Sequence, residues 1–280
     1  MGQLQDKVAV ITGGTRGLGL AMAQAYAAEG AAVVVASRTP ESVDRAVRGL
    51  TGSGAQATGL AMDAGSLEDV EALAEHAVKS YGRIDIWINN AGVAGPYGPT
   101  MGIDPQAFAA VVQTNILGVY YGSRTALKHM LPHKAGKLIN LLGHGYKNPV
   151  PYQSAYASSK AWVRSFTLAL AEETKDSGVG VYAFNPGMVL TDLLTDVEVV
   201  QGAEGRLKRF PAVVGMLAKP PEVPAQKAVW LASSATDGKT GLLVSVSSPL
   251  GMLGMAVRAA FKRAGPPIEV EIKTIPPYQG

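Results

Sequence analysis

The sequence predicts an α/β protein: a single doubly wound domain with a seven-stranded, mainly parallel sheet, helices on both faces, and a helix–strand extension at the C-terminus. Three observations lead to this prediction. Strand-like and helical patterns alternate along most of the chain, a glycine-rich turn lies between the first strand and the first helix, and 47% of the 280 residues are hydrophobic. That composition supplies a sizeable core and excludes a disordered chain.

The predicted strands are near-continuous apolar runs, as expected for strands that helices cover on both faces. They span residues 8–11, 32–36, 57–62, 84–89, 137–142, 179–184 and 242–246. Helical patterns lie between them at residues 18–29, 40–50, 66–81, 105–131, 154–176 and 221–233. Ser66, with Asp69 three residues later, is typical of a helix start. No repeat or linker interrupts the series, so we expect one domain over residues 1–249, with ligands at the carboxyl ends of the strands.

Charge and composition argue against several other classes of protein. A net charge of +3 without a concentrated basic stripe argues against nucleic-acid binding. The chain has no cysteine, which excludes disulfides and thiolate metal sites, and we expect no metal. Residues 1–6 lack the features of a signal peptide, so we expect a cytoplasmic protein. The uncharged run 240–257 contains Pro249 and overlaps the last strand, so we do not expect it to span a membrane.

The turn after the first strand reads Thr12-Gly13-Gly14-Thr15-Arg16-Gly17-Leu18-Gly19. Its glycines let the backbone turn tightly and approach a pyrophosphate, which the free amides of the following helix then face. This is the pattern of a Rossmann-type dinucleotide site, although an ordinary strand–helix loop can also hold three glycines. We expect cofactor contacts from Gly13, Thr15, Arg16, Gly17, Leu18 and Gly19.

The end of the second strand indicates which dinucleotide binds. An acidic residue there would hydrogen-bond the ribose 2′-hydroxyl of NAD, but this chain has Ser37 followed by Arg38. Arg16 lies inside the glycine turn, and two guanidinium groups can converge on a 2′-phosphate. The sequence therefore predicts NADP(H); the alternative is that both arginines are solvated surface residues.

A Tyr-x-x-x-Lys pair, Tyr156 and Lys160, lies on one face of the helix predicted over residues 154–176. A free phenol has a pKa of about 10, and a nearby ammonium is expected to lower it. Tyr156 would then be the acid in reduction and the base in oxidation, and Lys160 could also hold the nicotinamide ribose.

Together these motifs resemble the short-chain dehydrogenase/reductase family over roughly residues 5–248. The resemblance rests on the glycine turn, Asn89-Asn90-Ala91-Gly92, Asn115, Tyr156, Lys160 and Pro186-Gly187, which keep one order and spacing. It implies that Asp63 binds the adenine and that Asn115 helps to carry a proton-relay water to Lys160. It also implies an adenine-ribose wall made of Asn90, Ala91 and Gly92, and a nicotinamide-orienting segment that includes Pro186, Gly187, Val189 and Thr191.

The sequence departs from the family at one catalytic position. The family places a serine, which hydrogen-bonds the substrate oxygen, thirteen residues before the tyrosine, and this chain has Gly143 there. His144 or Tyr146 could supply the missing donor, although His144 could equally be a surface-loop residue. Otherwise the substrate carries its own hydroxyl or needs less polarisation, or the chain binds NADP(H) without turnover. Gly143 would also leave room for a bulky substrate.

Two further segments follow the strand–helix series. The substrate loop, about residues 192–219, carries Arg206, Lys208 and Arg209, and in the family this region closes over the substrate. Residues 250–261 have helical spacing, and residues 268–273 alternate as a half-buried strand does. We expect the extension 250–280 to pack on the domain or on a neighbouring subunit of a homodimer or homotetramer.

The resemblance implies an NADP(H)-dependent oxidoreductase that transfers hydride between nicotinamide and the carbonyl or alcohol group of a small molecule, with Tyr156 as the acid/base. Two alternatives stay open: an NADP(H)-binding regulatory or structural subunit, and a non-redox cyclase or dehydratase on the same fold. Because Asn115, Tyr156 and Lys160 are all present, we favour the enzyme.

Overall fold

A seven-stranded sheet forms the centre of the computed structural model, which describes residues 2–246 and 268–279. Its strands are β1 (Val8–Thr12), β2 (Ala32–Ser37), β3 (Ala57–Ala61), β4 (Ile86–Asn89), β5 (Gly136–Leu141), β6 (Val179–Asn185) and β8 (Leu243–Ser245). Their order is β3-β2-β1-β4-β5-β6-β8, and every neighbouring pair is parallel. The order reverses at β1, so the crevice beyond the carboxyl ends of β1 and β4 is where such a fold binds ligands.

Helices cover both faces of the sheet, which confirms the predicted fold class. They are α1 (Gly17–Ala28), α2 (Pro40–Gly52), α3 (Leu67–Tyr81), α4 (Pro105–Val112), α5 (Gly118–Met130), α6 (Ser154–Glu173), α7 (Asp192–Thr195), α8 (Phe210–Leu217) and α9 (Glu222–Ala232). Tyr26 of α1 and Val229 of α9 are buried on one face, and Leu73 of α3 and Met130 of α5 are buried on the other, beside Trp87. Burial on both faces explains why the strands lack polar alternation.

The predicted limits of α3 are confirmed by its end residues. The Ser66 hydroxyl accepts a hydrogen bond from the Asp69 amide (3.2 Å) and so satisfies one free donor of the first turn. Gly82 ends the helix with φ at 81°, a conformation that favours glycine.

The helix predicted over residues 105–131 is interrupted in the structure. A π-helical turn, Gln113–Leu117, separates α4 from α5. The Asn115 side chain bonds both the amide and the carbonyl of Val93 (2.9 Å each), which holds the turn toward the carboxyl end of β4. Single π turns inside helices are common at functional sites.

The substrate loop contains more regular structure than the sequence predicts. It includes α7, strand β7 (Asp196–Val200), a 3₁₀ turn (Glu204–Leu207) and α8. The strand predicted at 268–273 appears as β9 (Glu271–Ile275), and it pairs in parallel with β7. The helix predicted at 250–261 lies outside the described residues. In the described part of the chain, no helix is both long and apolar enough to cross a membrane.

Candidate active site

The glycine turn after β1 presents free backbone amides to the crevice. Gly13 and Gly17 have φ of 63° and 52°, which side-chain-bearing residues rarely adopt. A Cβ on Gly19 would lie 2.1 Å from the Gly13 carbonyl oxygen, so only glycine fits at this close approach. Arg16 precedes α1 without a side-chain cap, so the first amides of the helix stay available to an anion.

Thr12 and Asn90 join this turn to the end of β4. The Thr12 hydroxyl accepts hydrogen bonds from the amides of Asn90 and Ala91 (3.1 Å each). The Asn90 side-chain amide donates to the carbonyls of Thr12 and Gly13 (3.0 Å each). These bonds bring the predicted residues Asn90 and Ala91 against the glycine turn. Thr12 was not among the predicted site residues, although it is the first residue of the turn segment.

The end of β2 carries an unsatisfied polar atom. The Ser37 hydroxyl is buried and has no hydrogen-bond partner within the described residues. Arg38 follows it on the surface, and no carboxylate in the described part of the chain forms an ion pair with it. The Arg16 guanidinium pairs with the Asp192 carboxylate at the start of α7 (3.0 Å). Both partners of that ion pair are largely exposed, and such a pair is readily exchanged for another anion.

Segments from two other strand ends complete the cofactor side of the crevice. Thr191 lies against the glycine turn, because a Cβ on Gly17 would be 3.0 Å from Thr191 Cγ2. Gly187 has φ of 77°, and its amide donates to Asn185 Oδ1 (3.2 Å), which shapes the Pro186-Gly187 turn. After β3, the Asp63 carboxylate accepts a hydrogen bond from the Gly65 amide (2.9 Å).

Asn115 and Lys160 meet beside Gly92. A Cβ on Gly92 would lie 3.3 Å from Asn115 Oδ1 and 3.7 Å from Lys160 Nζ. Asn115 also donates to the Ser159 hydroxyl (3.1 Å), which in turn donates to the Tyr156 carbonyl (2.7 Å). The fully buried Asn115 thus connects the π turn to the helix that carries Tyr156 and Lys160.

Tyr156 and Lys160 lie together on α6, but their electrostatics differ from the prediction. Lys160 Nζ is 5.6 Å from the centre of the Tyr156 ring and donates to the Leu141 carbonyl (3.2 Å). Burial raises the pKa of the Tyr156 phenol to about 12 and lowers the pKa of the Lys160 ammonium to about 8. The expectation that Lys160 lowers the pKa of Tyr156 is therefore wrong for this structure, because removal of both groups from water dominates.

The position of the missing serine is filled by Tyr156. A Cβ on Gly143 would lie 2.3 Å from the Tyr156 hydroxyl oxygen and 3.1 Å from Cζ of the same ring. The expectation that Gly143 leaves room for a bulky substrate is wrong, because the phenol occupies that space. A side chain at position 143 would therefore have to displace the phenol.

His144 lies at the surface beside this site. Its ring is exposed, and Nδ1 lies 3.3 Å from Gln153 Oε1, just before α6 begins. Tyr146 packs instead beside the cluster that includes Leu142 and Val163. In the described part of the chain no hydrogen bond joins His144 to Tyr156, and its role as a donor stays a prediction.

Three aromatic and basic residues form a stack at the rim of the site, and none was predicted as a site residue. The rings of Tyr97 and Tyr152 are stacked with centroids 5.7 Å apart. The Arg206 guanidinium carbon lies 4.1 Å from the centre of the Tyr152 ring. We call these three residues the rim stack; the sequence offered no spacing signal for it.

The comparison with known families agrees with this geometry. The profile of the short chain dehydrogenase family matches residues 7–200, which include the glycine turn, Asn115, Tyr156 and Lys160. The chain belongs to the short-chain dehydrogenase family. The rest of the substrate loop and β9 lie beyond the segment that matches the family profile.

Individual relatives of this short-chain dehydrogenase differ in length and named activity. It is 35% identical over 245 residues to 3beta-hydroxysteroid dehydrogenase 1 of Eggerthella lenta, and this match covers 87% of this chain and 93% of that protein. It is 36% identical over 204 residues to a probable chlorophyll(ide) b reductase of Arabidopsis thaliana, but that match covers 66% of this chain and spans only 41% of the relative.

Solved structures show the same fold over nearly the whole described chain. A variant actinorhodin polyketide ketoreductase with NADPH has a TM-score of 0.79 at 28% identity, covering 90% of this chain and 99% of that one. A 3-ketoacyl-(acyl-carrier-protein) reductase from Brucella melitensis complexed with NADH has a TM-score of 0.78 at 30% identity, covering 89% of this chain and 99% of that one.

Proposed function

We propose that this short-chain dehydrogenase is an NADP(H)-dependent oxidoreductase that reduces a carbonyl group of a small molecule. The observation that carries the proposal is that the glycine turn, Asn115, Lys160 and Tyr156 border one crevice at the carboxyl ends of the strands. Two similar structures were solved with NADPH and with NADH, which supports a nicotinamide cofactor. When bound, that cofactor supplies the hydride.

Residues of the chain donate the proton that the reduction requires. With a pKa of about 12, Tyr156 is protonated at neutral pH and is ready to donate its proton to the carbonyl oxygen as hydride reaches the carbon. The phenolate left behind must be reprotonated, and Lys160, with a pKa of about 8, is the neighbouring acid. Asn115 positions α6 through Ser159. This arrangement favours reduction at neutral pH.

Removing the proton donor tests the chemistry. Tyr156→Phe should lower kcat by about 10²- to 10⁴-fold with a reducible carbonyl, while the Kd for NADPH stays nearly unchanged. Consumption of NADPH, followed by its absorbance over a panel of ketones and aldehydes, measures the activity. Tyr81→Phe, which removes a partly exposed phenol at the end of α3, is the matched control. NADPH binding without turnover of any carbonyl would favour the non-catalytic alternative.

The residues at the end of β2 support NADP(H) over NAD(H). A 2′-phosphate would give the buried Ser37 hydroxyl a partner and place an anion beside Arg38, where NAD would lack the acidic residue it uses. Calorimetry should show that NADPH binds more tightly than NADH, and Arg38→Ala should narrow the difference between their binding free energies by ~1–3 kcal/mol. Arg48→Ala, an exposed arginine on α2, should leave it unchanged. Equal affinities of the original protein for both cofactors would overturn the assignment.

We further propose that His144 supplies the hydrogen bond to the substrate oxygen that a serine gives elsewhere in the family. It directly follows Gly143, whose backbone touches the Tyr156 hydroxyl. His144→Ala should lower kcat by about tenfold or more and spare NADPH binding, whereas His133→Ala, on the surface elsewhere, should change neither. An unchanged kcat for His144→Ala would reassign the donor.

We propose a homo-oligomer formed through the outer face of α5 and α6. Tyr120 and Leu131 are 42% and 38% exposed, and the rings of Trp162 and Phe166 stack beside them at 4.7 Å. Light scattering of the original protein should give a dimer or larger species, and Phe166→Glu should give a monomer. Val223→Glu, at an exposed position of α9 on the other face of the sheet, should not. A monomeric original protein would contradict the proposal.

A further inference from the structure

The C-terminal strand β9 is built into the substrate loop. Each of its residues pairs in parallel with β7, from Asp196 opposite Glu271 to Val200 opposite Ile275. The tail is also bonded beyond β9, where the Tyr278 amide donates to the Gly102 carbonyl (3.0 Å). These contacts join the end of the chain to the loop that follows β4.

β7 lies between β9 and the rim of the site. The Val200 amide donates to the Tyr97 carbonyl and the Tyr97 amide donates to the Glu198 carbonyl (2.9 and 2.8 Å). On the other side, the Gln201 amide donates to the Ile275 carbonyl (2.9 Å). Alternate residues of β7 therefore bond opposite neighbours, as in a central strand. Without β9, β7 would lose one of its two neighbours.

Apolar packing reinforces this pairing. The substrate loop has its own small core, in which Val199, Ala203 and Leu207 are buried. Ile272 of β9 packs against this core from the tail, as Tyr97 does from the loop after β4. β9 therefore contributes both hydrogen bonds and burial to the fold of the loop.

The rim stack transmits this arrangement to the catalytic helix. Arg206 of the substrate loop and Tyr97 both contact the Tyr152 ring, four residues before Tyr156. Tyr152 has φ of 69°, a conformation that costs energy for a residue with a side chain and persists only where its surroundings hold it. One of the bonds that hold it runs from the Gly98 amide to the Tyr152 carbonyl (2.9 Å).

We propose that β9 is a positioning strand for the substrate site: by pairing with β7 it holds the substrate loop so that Arg206 and Tyr97 fix Tyr152 at the rim. β9 does this without touching the reacting atoms. The proposal rests on the proposed function for its kinetic consequence. Loss of the pairing is expected to weaken substrate binding, and so to raise KM, much more than it lowers kcat or alters NADPH binding.

Proline substitutions in the full chain separate the pairing from other effects. Successive residues of a strand direct their backbone groups to opposite sides, and the Gln201 amide bonds the Ile275 carbonyl. The amides of Lys273 and Ile275 therefore face β7, and the amide of Thr274 faces away from it. Lys273→Pro removes an inter-strand hydrogen bond, whereas Thr274→Pro introduces the same ring on the free side. Lys273→Ala controls for the loss of the ion pairs that Lys273 makes with Asp196 and Glu271.

Two readouts decide the proposal. Residue-resolved hydrogen exchange of the Gln201 and Gly98 amides should accelerate about tenfold or more in Lys273→Pro and remain nearly unchanged in both controls. KM for a carbonyl that the original protein reduces should rise about tenfold or more in the same variant, with kcat within about threefold and the Kd for NADPH unchanged. Ile272→Ala, which removes packing and leaves the backbone intact, should move both readouts in the same direction.

Each outcome is decisive. Unchanged exchange at Gln201 and Gly98 in Lys273→Pro would overturn the proposal, as would faster exchange with an unchanged KM. Lack of turnover in the original protein would contradict the proposed function instead. In that case exchange at Gly98 still decides whether β9 holds Tyr152, because the Gly98 amide bonds the Tyr152 carbonyl directly.

Discussion

Gly143→Ala is expected to lower kcat by about 100-fold while leaving NADPH binding unchanged. The added Cβ would lie 2.3 Å from the Tyr156 hydroxyl oxygen, whereas ordinary contact begins at 3.4 Å. The phenol must therefore move by about 1 Å, and a displacement of that size in a reacting group costs about 10² in rate. Overpacking should also lower the free energy of unfolding by ~1–3 kcal/mol.

The assay is steady-state NADPH consumption with a carbonyl that the original protein reduces, combined with calorimetric binding of NADPH. Gly49→Ala, on an open surface of α2 with no atom within 4 Å of the added Cβ, is the matched control and should change neither kcat nor the Kd for NADPH. In the Tyr156→Phe background Gly143→Ala should cost less stability, because the nearest clashing atom is gone and only the ring carbon at 3.1 Å remains.

Two results would refute this reasoning. Retention of kcat in Gly143→Ala would mean that the phenol does not lie against Gly143 in the working enzyme. A rise in kcat for Gly143→Ser would mean that the site lacks a hydroxyl donor and has space to accept one.

Further predictions concern ionisation and the buried core. The folded-state pKa of Lys160, about 8, lies below its unfolded value of 10.5, so the penalty for burying the ammonium is complete below pH 8 and is relieved as the pH rises to 10.5. In Lys160→Met the free energy of unfolding should no longer rise over this pH range, and at pH 7 it should be higher than in the original protein by up to roughly 3 kcal/mol. Urea titration across this range measures both effects, and an unaltered pH profile would contradict the prediction. Reduction by the original enzyme should slow as the pH rises through about 8, because Lys160 loses its proton; a flat pH–kcat profile from 6 to 9 would count against its role as a proton source. Asn140→Ala should lower the free energy of unfolding by ~3 kcal/mol, because it removes the buried hydrogen bonds that the Asn140 side chain forms with Asn89 and Thr167. Asn148→Ala, at an exposed position, should not; equal melting temperatures for the two variants would disprove it.

The sequence predicted the elements whose signals are local. The seven strands of the main sheet are confirmed to within two residues at each end, because parallel strands buried on both faces are continuous apolar runs. The spacing of Tyr156 and Lys160 correctly predicted that they lie close together. It could not predict that Lys160 donates to the Leu141 carbonyl, since that bond depends on the end of β5. The pKa of Tyr156 was mispredicted because burial does not follow from helical spacing.

Long-range pairing was the part that the sequence could not supply. The alternation at residues 268–273 indicated a strand, but alternation carries no information about its partner. β7 carries a similar but shorter signal, since Asp196 and Glu198 alternate with valines, and it was missed because it lies in a segment predicted as a loop. The rim stack depends on the pairing of β7 and on the conformation of Tyr152, both of which are tertiary.

The glycine at position 143 and the high pKa of Tyr156 follow from one packing arrangement. With no side chain at Gly143, the phenol lies directly against the backbone at the end of β5, and burial there raises its pKa to about 12. A serine at this position would need the tyrosine to lie elsewhere. We infer that the lack of a side chain at Gly143 lets the Tyr156 phenol lie protonated against the end of β5. A protonated phenol can give a proton to a carbonyl oxygen but cannot accept one from an alcohol, so the arrangement that excludes the serine also favours reduction over oxidation at neutral pH.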